Sequence, residues 1–150
     1  MRYLRIFLAS ALAAALVPAA IASAGTSASA AATRTVSLRH TKLGSLLVAP
    51  NGHTLYMFTR DRTNTDNCQH ISECTSTWPP LVGTPRAGSG VSSKMLGTIR
   101  LKNGSHQITY AGHPLYTYSG DSGPGQTFYV GVSALGGRWY ALNAKGATVR

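Results

Sequence analysis

Acidic residues are scarce in this chain: four Asp and Glu stand against 14 Lys and Arg, a formal charge of +10 over 150 residues. So few carboxylates make most Ser/His/Asp combinations accidental. The chain has no G-x-S-x-G, no P-loop and no H-E-x-x-H, so the common hydrolase and nucleotide-binding signatures are missing. Lys and Arg never form a run, which argues against a dedicated nucleic-acid tract. Helical periodicity is nearly absent after the first thirty residues. No apolar run in that region could span a bilayer. Cysteine is limited to two residues, too few for a zinc site of paired C-x2-4-C type.

The N-terminus reads differently. Arg2 and Arg5 precede an Ala-rich apolar run from Ile6 to Ala22, interrupted by Pro18. Ala22-Ser23-Ala24 and Ala28-Ser29-Ala30 are small-residue cleavage sites. Residues 1–30 are therefore expected to be a secretory signal peptide, cleaved near 24 or 30. No cysteine adjoins either site, so no lipid anchor is expected there, and export should leave no transmembrane segment. Taking Arg2 and Arg5 from the 14 bases leaves 12 against the four acids, a charge of +8. That excess favours acidic partners such as anionic envelope polymers or headgroups, or else simply aids solubility.

In an exported chain the pair Cys68 and Cys74 reads as a disulfide. Closing so short a loop contributes about 2 kcal/mol in the chain-entropy picture. A metal trio of Cys68, His70 and Cys74 is the competing idea.

Short alternating runs between turn residues predict an all-β, antiparallel fold. Strands are expected at Val36–Arg39, Ser45–Ala49, His53–Thr59, Thr98–Lys102, His106–Tyr110, His113–Ser119, Thr127–Ser133 and Arg138–Asn143. Asn51-Gly52 predicts a type I′ hairpin turn. Residues 31–42 read as an N-terminal extension. One β domain covers 43–146, as two repeats at about 43–82 and 97–146. A Gly/Ser/Pro-rich linker, 83–96, joins them.

The repeat itself is explicit. Gly52-His53-Thr54-Leu55-Tyr56-Met57-Phe58-Thr59-Arg60-Asp61 returns sixty positions later as Gly112-His113-Pro114-Leu115-Tyr116-Thr117-Tyr118-Ser119-Gly120-Asp121, with five of ten positions identical. One supersecondary unit is used twice. Both faces of each strand carry large apolar groups, so each strand should be buried on both sides. Tyr56, Phe58, Asp61, Tyr116, Tyr118 and Asp121 then have two readings. They specify the fold as core aromatics and turn-capping acids, or they converge on a pseudo-twofold axis and line a ligand site. His53 and His113, with Met57 as a soft ligand, could hold copper or another metal. Asp61 and Asp121 could act as a hydrolytic acid/base pair.

Tyr56-Met57-Phe58-Thr59-Arg60-Asp61 and Tyr116-Thr117-Tyr118-Ser119-Gly120-Asp121 resemble the Y-x-[FWY]-x-x-D motif of a bacterial secreted-repeat family, also described as a lipoprotein family with a Y-X4-D motif. Cys68 with Cys74 before Trp78-Pro79-Pro80, Pro124-Gly125 and Gly137-Arg138-Trp139-Tyr140 extend the resemblance. It implies export, tandem repeats and a non-enzymatic role in the cell envelope, with no function assigned. The expectation is a compact sandwich or barrel of two pseudo-symmetric halves. It would serve as a small exported binding or structural module with no predicted cofactor. A metal-binding or redox accessory protein and a hydrolase are the alternatives.

Overall fold

Side chains alternate across a strand, and in Leu55-Tyr56-Met57-Phe58 both sets are apolar. The computed structural model, which describes residues 31–150, uses that alternation to build two cores. Leu55 and Met57 enter a largely aliphatic core with Val36, Leu47, Ile108 and Leu142. Tyr56 and Phe58 enter an aromatic core with Trp78, Tyr116, Trp139 and the cystine. The signal peptide expected over residues 1–30 lies outside the described residues.

Among the described residues ten strands follow in order: β1 (Thr33–Thr41), β2 (Gly44–Val48), β3 (Tyr56–Phe58), β4 (Thr84–Ala87), β5 (Leu96–Arg100), β6 (His106–Tyr110), β7 (His113–Pro114), β8 (Val132–Ala134), β9 (Gly137–Leu142) and β10 (Thr148–Val149). Among the described residues one short helix, α1 (Cys74–Thr77), starts at the second cysteine of the bridge. The strands form three small sheets, β2-β1-β4, β5-β6-β7 and β10-β9-β3 with β8 also on β9. The fold is all-β and does not close into a barrel. Among the described residues no helix is long and apolar enough to cross a membrane.

The halves are exchanged at their ends. Tyr56 and Tyr116 give each other both backbone hydrogen bonds, at 2.9 and 3.0 Å, which sets a pseudo-twofold axis between them. Strand β9, late in the second repeat, pairs with β3 of the first, Phe58 opposite Trp139. Reciprocally, residues 79–81 of the first repeat reach the second: the Thr117 N–H donates to Pro79 O at 3.0 Å and the Leu81 N–H to Leu115 O at 2.9 Å. Each repeat therefore completes its partner.

Several elements depart from the sequence-based expectation. The 31–42 extension contains β1, which pairs antiparallel with β2 and parallel with β4. The 83–96 linker contains β4 and the start of β5. Its Pro85 made it read as loop, but β4 lies at a sheet edge, where a missing N–H is tolerated. The strands expected at 113–119 and 127–133 shrink to β7 and β8, because turns at 119–120 and 128–131 interrupt them. Asn51-Gly52 is not type I′, since only Gly52 has positive φ. Ala49 O accepts the Gly52 N–H at 2.8 Å, and the Asn51 side chain accepts the His53 N–H at 3.2 Å. The Asn51 side chain thus favours a turn in which one residue alone is left-handed. The two-residue turns with positive φ at both positions are Ala111-Gly112 and Leu135-Gly136.

Candidate functional site

The motif residues meet at the pseudo-axis, in exchanged pairs. The buried Tyr116 hydroxyl donates to Asp61 Oδ2 at 2.8 Å. The buried Tyr56 hydroxyl donates to Asp121 Oδ2 at 3.2 Å, with Gln126 O a second acceptor at 3.4 Å. Each tyrosine thus bonds the aspartate of the other repeat. Both aspartates follow the same turn, closed by Asp61 N–H to Phe58 O at 3.1 Å and Asp121 N–H to Tyr118 O at 3.2 Å. That turn lifts the carboxylate off its own strand and toward the exchanged neighbour.

The aromatic rings repeat the exchange. Trp78 and Trp139 stack face to face, centroids 3.8 Å apart and planes 3° apart. Phe58 of the first repeat stacks on Trp139 of the second at 4.2 Å, and Tyr118 of the second lies against Trp78 of the first at 4.6 Å. Tyr56 and Tyr116 meet Trp78 and Trp139 edge-on at 5.2 and 5.3 Å. Edge-to-face and offset stacked pairs each add about 1 kcal/mol beyond area burial. Both indole N–H groups are buried without an acceptor.

The two carboxylates are not equivalent. Asp61 Oδ1 also accepts the Asn67 N–H at 2.8 Å. Asp121 Oδ1 is buried with no hydrogen-bond partner, in a residue only 6% exposed. Burial pushes the Asp61 carboxyl up to about 6, against the donors from Asn67 and Tyr116. Burial raises Asp121 too, while the Tyr56 hydroxyl and the charge of nearby His53 act the other way. Desolvation, with the facing carboxylate, drives the Tyr56 and Tyr116 hydroxyls far above their ordinary range, so both stay protonated donors.

Met57 lies in the aliphatic core opposite Tyr140. His53 follows the Gly52 turn near Asp121, and His113 is half-buried in β7, where burial lowers its imidazole. Among the described residues no three His, Cys, Asp or Glu converge to hold a metal ion. Cys68 and Cys74 form a disulfide, Cα atoms 5.4 Å apart, so a trio with His70 has no free thiolate. Neither motif aspartate lines the clefts at 39–42/124–128 or 133–138.

Two residues outside the motif organise the surroundings. Asp66, buried, accepts the Gln69 N–H at 3.0 Å within the short 3-10 turn at Cys68–His70. Gln126 closes its own loop: its Oε1 accepts the Ser122 N–H at 2.7 Å, its Nε2 donates to Ser122 Oγ at 3.0 Å, and its backbone O accepts the Thr54 hydroxyl at 2.5 Å. Nothing in sequence singled out Gln126.

The model of a protein family described as a secreted repeat of unknown function matches residues 37–82 and again 97–143, more than half of the chain. Each match contains one copy of the ten-residue segment. Searches of curated proteins and of solved structures returned no match.

Proposed function

Because the chain belongs to the secreted-repeat family, we propose that it is a small exported, non-enzymatic module of the bacterial cell envelope whose outer surface binds anionic polymers. The observation that carries this reading is the sorting of charge. Asp66 and Asp121 are buried and Asp61 half-buried, each accepting donors from the chain, which leaves Glu73 as the exposed carboxylate. All 12 Lys and Arg of the described residues are exposed. A positive exterior with its acids drawn inward attracts polyanions at long range, and salt screens that attraction.

The Tyr/Asp motifs fit this reading as the clasp between repeats. Each tyrosine hydroxyl is spent on one carboxylate oxygen of the other repeat, and the tyrosine rings help fill the aromatic core. A clasp needs both copies, which is what the duplication supplies. A hydrolytic pair would need its carboxylates open to substrate, and these face tyrosine hydroxyls.

The test is co-sedimentation of the mature protein with purified envelope polymers over a salt series. Retention that falls steeply between about 50 and 300 mM salt is expected, as the Debye length shortens. Failure to bind any polyanion at low salt refutes the reading.

A further inference from the structure

The duplication supplies an internal comparison. Each repeat has a hairpin turn facing the loop that follows the opposite motif. Residues 41–44, between β1 and β2, correspond to 101–104 across the sixty-residue offset. The two turns have different fates. At the second turn, the Lys102 N–H donates to Gln69 Oε1 at 3.0 Å, and Lys102 Nζ lies 3.0 Å from His70 Nδ1. These contacts narrow the cleft there to about 310 Å³, lined by Gln69, Thr75, Pro80, Leu101, Lys102 and Asn103. At the first turn, Arg39, His40 and Lys42 face residues 124–128 across a cleft of about 510 Å³, and no carboxylate lines it.

Position 128 sharpens the contrast. Its counterpart sixty residues earlier is Cys68, buried in the disulfide. Phe128 is 76% exposed, well beyond the other exposed large apolar side chains, Leu43 at 38% and Met95 at 36%. Leu43 stands in the same hairpin turn as Lys42. An exposed ring and an exposed leucine therefore flank three basic side chains.

The wall bearing Phe128 is fixed before any ligand arrives. Gln126 closes the loop through Ser122, and the Gly125 N–H donates to Gly52 O at 2.9 Å. The stem of Arg39 crosses Gly125 so closely that a Cβ there would lie 2.8 Å from Arg39 Nε. Glycine is required at 125 by this approach and by its φ of +72°. Binding then costs little ordering of the loop.

We propose that this open cleft is the specific site of the module, and that its occupant is a segment of a phosphodiester-linked sugar or polyol chain. The proposal rests on the polyanion-binding reading above and deepens it. The Arg39 fork and the Lys42 ammonium can share the non-bridging oxygens of one phosphate. Phe128 offers its face to the carbon skeleton of the adjoining unit. A concave cleft fits a chain segment, whereas a bilayer surface would call for a flat patch with more apolar anchors.

The test uses the full mature chain and a labelled glycerol-phosphate oligomer, read by fluorescence anisotropy at fixed salt. Arg39→Gln, Lys42→Gln and Phe128→Ala remove one feature each. Arg86→Gln and Lys145→Gln remove the same charge elsewhere on the exposed surface. Each cleft variant is expected to weaken binding on the order of tenfold, through a lost charge-assisted bond at 39 or 42 and a lost apolar contact at 128, and each control by less than about twofold. Unchanged melting temperatures verify the fold. Should Arg39→Gln disturb the loop it packs on, Lys42→Gln and Phe128→Ala decide. Equal losses in cleft and control variants overturn the cleft while leaving a diffuse polyanion surface. Stronger binding to polygalacturonate or to phosphatidylglycerol vesicles than to the oligomer overturns the phosphodiester assignment. No binding to any of these probes overturns the cleft and the polyanion reading together.

Discussion

The exchanged Tyr–Asp pairs make a prediction that separates the observed connectivity from its obvious alternative, a tyrosine bonded to the aspartate of its own motif. Tyr116→Phe deletes the donor to Asp61 Oδ2 and keeps the ring packed edge-on against Trp139. The 2.8 Å bond to a half-buried carboxylate is of the charge-assisted kind, so its loss costs about 2 kcal/mol. For a domain of this size that lowers Tm by roughly 8 °C. Asp61→Asn is milder. Its Oδ1 can still accept the Asn67 N–H, and its amide can donate to the Tyr116 oxygen. A double-mutant cycle, read by thermal and urea unfolding, then tests the pairing. Tyr116→Phe with Asp61→Asn should show coupling of about 1 kcal/mol or more. Tyr56→Phe with Asp61→Asn, two changes within one motif, should be additive to within about 0.5 kcal/mol. Coupling inside the motif that equals or exceeds coupling across the repeats would refute the exchanged clasp.

Three further outcomes follow. The folded-state pKa of Asp61, about 6, lies above its ordinary value of 3.8, so the folded protein binds that proton more tightly than the unfolded chain. Its stabilising contribution is full below about pH 4 and is lost as pH rises through about 6, and the raised Asp121 carboxyl acts in the same direction. Melting curves from pH 3.5 to 7.5 should therefore show Asp61→Asn gaining on wild type as pH rises, and parallel curves would contradict this. Reducing the Cys68–Cys74 bridge should lower stability by about 2 kcal/mol without unfolding the domain, because the loop it closes is short. Loss of the near-ultraviolet tryptophan signal on reduction would mean that the bridge holds the core. Gly137→Ala places a Cβ 2.6 Å from Phe58 Cε2, under the Phe58–Trp139 stack, and should cost 1–3 kcal/mol with altered tryptophan fluorescence. An unchanged spectrum and Tm would show that the stack yields freely.

Much of the fold was legible locally. The alternation in Leu55-Tyr56-Met57-Phe58 placed β3 between two apolar environments, and the turn glycines marked most hairpins. What escaped were features set by neighbours distant in sequence. Thr84-Pro85-Arg86-Ala87 has weak strand character, and only the edge offered by β1 makes it one. Ala111 takes φ +50° in a turn that its side chain does not favour, because β6 and β7 must meet there at fixed register. Phe128 could not be told from a core aromatic by its letter. Its exposure follows from the way Gln126 closes the loop.

Residue type and spacing alone carry the double use of one unit, strands that bury both faces, one loop closed by two cysteines, and a threefold excess of bases over acids from residue 31 onward. Which aspartate serves which tyrosine, which tryptophan stacks on which ring, and which of the two corresponding clefts is wider follow from the folded packing. The Tyr–Asp bonds join residues 55 and 65 positions apart, and their partners are fixed by the pairing of β3 with β9 and of Tyr56 with Tyr116. Two copies with Tyr and Asp at the same spacing carry no local signal that distinguishes a bond within a copy from a bond between copies. Packing across the axis makes that choice.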